Sequence, residues 1–208
     1  MLAAEARLAC VAARQRGAFT RSQCIDAGFS ASQVQRRLDA GAWIRVHARV
    51  YRHAGSPATR ALEVTAAMLW AGPGAVLSHT TAAALWRVTA DAPDRIELLV
   101  PRTRAPRAPG VVVHRVARVD PADVTTARGG LSVTTPVRTL IDVAAVVPEH
   151  DLAAMLDGAL ALRLVTRRAV QDRLGTLGTR GRPGTARLRA LLGPFGSASG
   201  DASARMAG

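Results

Sequence analysis

The sequence predicts a mixed α/β (α+β) chain, an N-terminal winged helix-turn-helix followed by helices on a small antiparallel sheet. Three observations predict it. Two capping-box spacings, Thr20 with Gln23 and Ser30 with Gln33, fall close together with Gly28 between them. That pattern starts two short helices joined by a tight turn. Next, Trp43-Ile44-Arg45-Val46 and Val50-Tyr51-Arg52 are β-branched and aromatic runs around His47-Ala48-Arg49, the signature of a hairpin. Beyond residue 59, helical periodicity alternates with short apolar runs at 95–100, 111–116 and 131–135.

The first element is a helix from Ala3 to Arg16, with Leu8, Val11 and Ala12 turned inward. The helix starting at Ala31 divides its faces at roughly 100° per residue. Ala31, Val34 and Leu38 can seat it on a core, while Ser32, Gln33 and Arg36 point the other way, flanked by Gln35 and Arg37. Two helices crossing steeply over a short turn can brace one of them in a DNA groove. Arg can grip guanine and Gln can grip adenine through paired hydrogen bonds, so these types can read base edges. On the hairpin, Arg45, His47 and Arg49 would meet phosphate. The alternative is a small helical cap whose arginines are solvated surface.

A linker at 53–58 separates this domain (1–54) from a second (59–192) that would serve interaction and dimerisation. Its first helix, about 60–71, places Leu62, Ala66, Leu69 and Trp70 on one face, and Gly72-Pro73-Gly74 ends it. Ser78 is a candidate cap for a helix to Trp86, with Ala82, Leu85 and Trp86 as its apolar face. His79 and Thr80, in its first turn, could hold an anion or be plain surface. Three strands follow, and a sheet of roughly three or four is expected. The connection 101–110 holds three Arg and three Pro; it could track phosphates, meet an acidic protein face or be solvated. Asp120 to Asp123 reads as a turn or one helical turn, and Gly129-Gly130 as a hairpin bend. Thr135 caps a helix with Pro136 in first position, on which Arg138 and Asp142 could pair, with a modest effect if exposed. Helices at 149–162, 166–174 and 185–192 complete the domain, with a glycine-rich connection at 175–184. The tail, 193–208, is small and polar and expected to be disordered.

Net charge is +13, and all 28 basic residues are Arg. Residues 1–52 hold nine Arg against three acids, which suits a nucleic-acid partner whose affinity falls with salt. Cys10 and Cys24 are expected to be buried free thiols. No apolar run approaches the roughly 18 residues of a membrane span, and no signal-type start is present, so a cytoplasmic protein is expected. Phosphate-cradling glycine motifs, a nucleophile elbow and a metalloprotease helix are absent. The histidines at 47, 53, 79, 114 and 150 are dispersed, and Asp91, Asp94 and Glu97 read as solvated acids. The expectation is therefore no enzyme, no cofactor and no metal.

The run GAFTRSQCIDAGFSASQVQRRLDAGAWIRVHARVYRHAG resembles the N-terminal winged-helix domain of AbiEi-type antitoxins of type IV toxin–antitoxin systems. The runs GPGAVLSHTTAAALW, VVVHRVARVDPADVTTARGGLSVTTPVRTLIDVAA and DGALALRLVTRRAVQDRL resemble the body of an actinobacterial branch of that family. The resemblance covers about residues 5–192 as a whole pattern. It implies a DNA-binding repressor of its own operon that counters a nucleotidyltransferase-like toxin. Longer members of the branch continue into a very-short-patch-repair-type endonuclease domain, which this chain is expected to lack. The alternative function is a DNA-targeting remnant of such a nuclease fusion. A homodimer is expected where the operator is twofold.

Overall fold

α1 (Leu2–Arg14) opens the chain with Ala4, Leu8 and Ala12 buried at four-residue spacing and Val11 only half-buried. The computed structural model describes residues 2–89, 93–103, 107–127, 129–177 and 184–193. After α1 come β1 (Ala18–Thr20), α2 (Arg21–Asp26), α3 (Ala31–Asp39), β2 (Trp43–His47) and β3 (Val50–His53). Both capping boxes form: Gln23 Oε1 accepts from Thr20 N and Gln33 Oε1 from Ser30 N, each at 2.8 Å. Between the two helices Gly28 takes φ +103°, a conformation closed to most side chains. Arg7 of α1 donates from Nε and Nη2 to the Ala27 carbonyl at 2.9 and 2.6 Å, so the turn is tied to α1.

The three strands pair antiparallel in the order β1-β3-β2. Under them Phe19 and Phe29 meet Trp43 edge to face, with centres 5.0 and 5.3 Å apart, and Tyr51 stacks on Trp43. Cys24 is buried in this cluster, and burial pushes its thiol up to about 12. Cys10, expected to be buried, is exposed on α1.

α4 (Arg60–Ala71) is apolar on two faces. Leu62 and Ala66 pack with Ala18 and Val50 against the first sheet. Val64, Ala67 and Ala71 pack with Leu98 and Val100 against a second sheet. That sheet contains β4 (Val76–Leu77), β5 (Ile96–Pro101), β6 (Val111–Val116), β7 (Val124–Ala127) and β8 (Leu131–Thr134) in the order β6-β5-β4-β8-β7. It has five strands rather than three or four. It is mixed rather than antiparallel, because β5 pairs parallel with β6 and β4 with β8. The connection after β5 is long enough for the parallel pair. Residues 102–110 can span roughly 30 Å when extended, enough to run back along a six-residue strand of about 20 Å. Residues 104–106 of that connection lie outside the described residues, as do Asp91, the segment 178–183 and the tail from 194. Gly129 and Gly130, at φ +86° and +80°, make the bend between β7 and β8.

α5 (His79–Leu85) lies against β5, and α6 (Pro136–Val143), α7 (Glu149–Ala161), α8 (Arg167–Leu177) and α9 (Thr185–Leu192) form a helical layer around Leu140, Leu152, Leu156, Val170, Leu174 and Leu188. Among the described residues no helix is long and apolar enough to cross a membrane.

Arg138 and Asp142 pair as their spacing suggests, but buried, at 3% and 7% exposure. Arg138 Nε donates to Asp142 and Nη1 to Asp123, both at 2.8 Å. Arg173 of α8 donates to Asp123 at 2.8 Å and to Asp120 at 2.7 Å, so alternating charges join the turn before β7 to α6 and α8. Breaking a buried pair strands the remaining charge. Arg138→Ala is therefore expected to cost about 3–5 kcal/mol in urea unfolding; a loss below about 1 kcal/mol would show that the network does not hold these elements.

Candidate nucleic-acid interface

α3 is rooted by Val34, 2% exposed, and by half-buried Leu38; Ala31, expected inward, is exposed. On the outer side Ser32, Gln35 and Arg36 are exposed. Ser32 Oγ lies 2.9 Å from Ser30 Oγ, and Gln35 Nε2 donates to Asp39 at 2.7 Å. Gln33 is half-buried, and its carbonyl oxygen is held by the Ser30 backbone N–H as part of the cap. Arg37 is turned back into the protein. Its guanidinium donates to Glu5 of α1 and lies 4.5 Å from the Phe29 ring centre and 5.3 Å from that of Trp43. A cation over two aromatic faces and against a carboxylate is well satisfied where it is.

The hairpin separates its basic residues in a similar way. A register shift between Arg45 and His47 breaks the alternation of β2. Arg45 stays exposed, whereas the His47 ring lies 5.4 Å from Trp70 of α4. Burial lowers the His47 pKa, which keeps the ring neutral near pH 7. Arg49 is exposed at the turn with φ +63°, and its carbonyl accepts from Arg21 N at 2.8 Å. Arg21, Arg49 and Ser22 line one groove between the start of α2, the hairpin turn and Leu69 and Trp70 of α4. The structure thus places Arg36 on one helix and Arg45 and Arg49 on the adjoining hairpin, all open to solvent. Arg21 was not singled out by sequence; its position one residue after a capping Thr is the signal that would have found it.

A second polar cluster lies in the region of α5, β5 and β6. His79 is 5% exposed, with its ring stacked on that of His114 at 3.6 Å between centres. His114 Nε2 is 2.6 Å from Glu97 Oε2, while Thr80 donates its backbone N–H to Glu97 Oε1 at 3.2 Å and its hydroxyl to the same oxygen at 2.5 Å. The anion held by the first turn of α5 is therefore the chain's own Glu97. Ser78, expected to cap α5 with its side chain, instead places Oγ 2.9 Å from His79 Nδ1. Burial, then the neighbouring His114, pushes His79 down to about 3. Burial alone would raise Glu97, but hydrogen bonds from His114 and Thr80 outweigh it and bring the carboxyl to about 2. Glu97, expected to be a solvated acid, is buried. The missed signal is its place inside the apolar strand Ile96-Glu97-Leu98-Leu99-Val100, where a carboxylate needs partners.

Residues 65–194 match the AbiEi antitoxin C-terminal domain. No curated protein sequence matches the chain. Among solved structures, the crystal structure of the RV2827C protein from Mycobacterium tuberculosis is similar, with a TM-score of 0.61 at 19% identity, covering 91% of this chain and 76% of that one. At that identity the likeness is one of fold. The family match spans well over half of the chain and contains the Arg138 network and the His79–Glu97–His114 cluster: the chain belongs to the AbiEi antitoxin family.

Proposed function

We propose that residues 2–54 of this antitoxin are a winged helix-turn-helix that binds operator DNA, and that the chain represses its own toxin–antitoxin operon. The observation that carries this reading is the face of α3, which keeps Ser32, Gln35 and Arg36 in solvent while Val34 roots it. The order α1-β1-α2-α3-β2-β3, with β3 between β1 and β2, sets a two-stranded hairpin beside α3. Ser32, Gln35 and Arg36 then read base edges in the major groove. Arg45, Arg49 and Arg21 contact phosphate and set the register. Gln33, Arg37 and His47 act from behind: the first caps α3, the second ties it to α1, and the third packs the hairpin on α4.

The partners in this proposal are double-stranded DNA in the cytoplasm and a nucleotidyltransferase-like toxin, the latter countered through residues 59–192 without catalysis by this chain. A twofold operator would be met by a homodimer.

Removing Arg36 should affect recognition and leave the fold intact. Arg36→Ala is expected to weaken binding to the cognate promoter by about 1–3 kcal/mol in a gel-shift titration, and to relax preference at one base position. Equal loss on cognate and scrambled DNA would defeat the base-reading role. Arg37→Ala should instead lower the unfolding free energy by about 1–2 kcal/mol, since it removes an ion pair and two ring contacts. The same measurement on Arg36→Ala should change by under about 0.5 kcal/mol.

A further inference from the structure

His79, Glu97 and His114 each offer one ligand atom, and these atoms all lie within 4.8 Å of one another. The three come from separate elements: His79 from the start of α5, Glu97 from β5 and His114 from β6. The parallel register pairs Leu99 with His114, which places His114 two rungs beyond the partner of Glu97 and on the same face. We propose that these three side chains form a binding site for a divalent transition-metal ion of the zinc type.

The donor set suits such an ion. Two imidazoles and a carboxylate make a three-ligand zinc set with a position left for water or another ligand. Imidazole favours zinc and its transition-metal neighbours over magnesium or calcium. The surroundings already supply outer-shell support. Ser78 Oγ engages His79 Nδ1, which leaves Nε2 as the nitrogen to turn towards the ion. Thr80 holds Glu97 Oε1 through two hydrogen bonds, which leaves Oε2, the oxygen facing His114, as the ligand atom. Thr81 Oγ1 accepts from the Glu97 backbone N–H at 2.9 Å and fixes the strand at that point. His114 is 26% exposed, so an ion has a way in from solvent.

Binding requires modest movement. Ligand nitrogens on a four-coordinate zinc sit about 3.3 Å apart with converging lone pairs, so the stacked rings must tilt away from parallel. The 2.6 Å contact of His114 with Glu97 must also open, by roughly 0.7 Å, to reach that spacing and admit the ion. His79 holds φ +48° at the first position of α5, a left-handed conformation that an ordinary side chain adopts only at a cost. That backbone turn presents the ring to Glu97 and His114. Arg138, whose charge acts on His79, is held by Asp123 and Asp142 and so does not face the site as an unpaired charge.

The test uses the full chain, freed of metal with a chelator and then dialysed. Calorimetric titration with zinc chloride is expected to show one equivalent bound per chain, and cobalt(II) should give the visible bands of a four-coordinate site with nitrogen ligands. Zinc should also raise the thermal midpoint, since an ion that binds only the folded chain stabilises it. His114→Gln is the informative variant because His114 sits at the solvent edge of the cluster. It should lose at least about tenfold in zinc affinity and show no thermal shift at the same zinc concentration, with its circular dichroism unchanged. Glu97→Gln should behave alike. His150→Gln, 81% exposed and outside the cluster, should bind as the parent does. Absence of stoichiometric zinc binding by the parent chain would overturn the proposal. So would binding that survives unchanged in both His114→Gln and Glu97→Gln, because the ion would then sit elsewhere.

Discussion

The pose of α3 depends on the guanidinium of Arg37. It spans three elements at once, touching Glu5 of α1, the Phe29 ring in the turn before α3 and the Trp43 ring at the start of β2. A nine-residue helix is too short to be stable by itself, so its direction must come from what it packs against. Val34 supplies the apolar anchor, and Arg37 fixes the rotation about the helix axis. With those two turned inward, the 3.6-residue repeat leaves Ser32, Gln35 and Arg36 outside. The split between Arg36 and Arg37, adjacent and chemically identical, is a consequence of helical geometry.

α4 carries that ordering into the rest of the chain. A helix with one apolar stripe would leave the two sheets with separate cores. Here Leu62 and Ala66 serve one core while Val64, Ala67 and Ala71 serve the other. Trp70, at the junction, meets both clusters and receives the His47 ring from the hairpin. The small residues at 66, 67 and 71 allow close approach on both sides, and a larger side chain at any of them would have to displace packed neighbours.

Much of this was legible from residue order, and the failures have physical causes. Capping boxes, the glycine between α2 and α3 and the Gly129-Gly130 bend are local signals, and each appears in the structure where the sequence placed it. Long-range pairing left less trace. β4 is two residues long and β7 only four, so neither rises above loop texture, and the parallel pairing of β5 with β6 joins strands whose register no local spacing encodes. Charged residues misled most. Arg138, Asp142 and Glu97 look like surface from composition, yet all three are buried: Arg138 lies between Asp142, four residues on, and the sequence-distant Asp123, and Glu97 meets the sequence-distant His114. Of the eight candidate DNA-contacting residues, Ser32 and Gln35 stay exposed beside their near neighbours Ser30 and Asp39, whereas Gln33, Arg37 and His47 are half-buried and held by the protein. Their partners, Ser30, Glu5 and Trp70, come from three different parts of the chain. Only the first of these lies close enough in sequence for its spacing to reveal the engagement.

The proposed entry of the outer face of α3 into a DNA groove is tested most directly by placing a cutting reagent on that face. With exposed Cys10 replaced by Ser and Ser32 by Cys, an iron chelate attached at position 32 should cleave the chain's own promoter at a few adjacent base pairs within each protected site. Protection of the promoter without localised cleavage from position 32 would show that DNA is held by another surface, and that α3 does not read it.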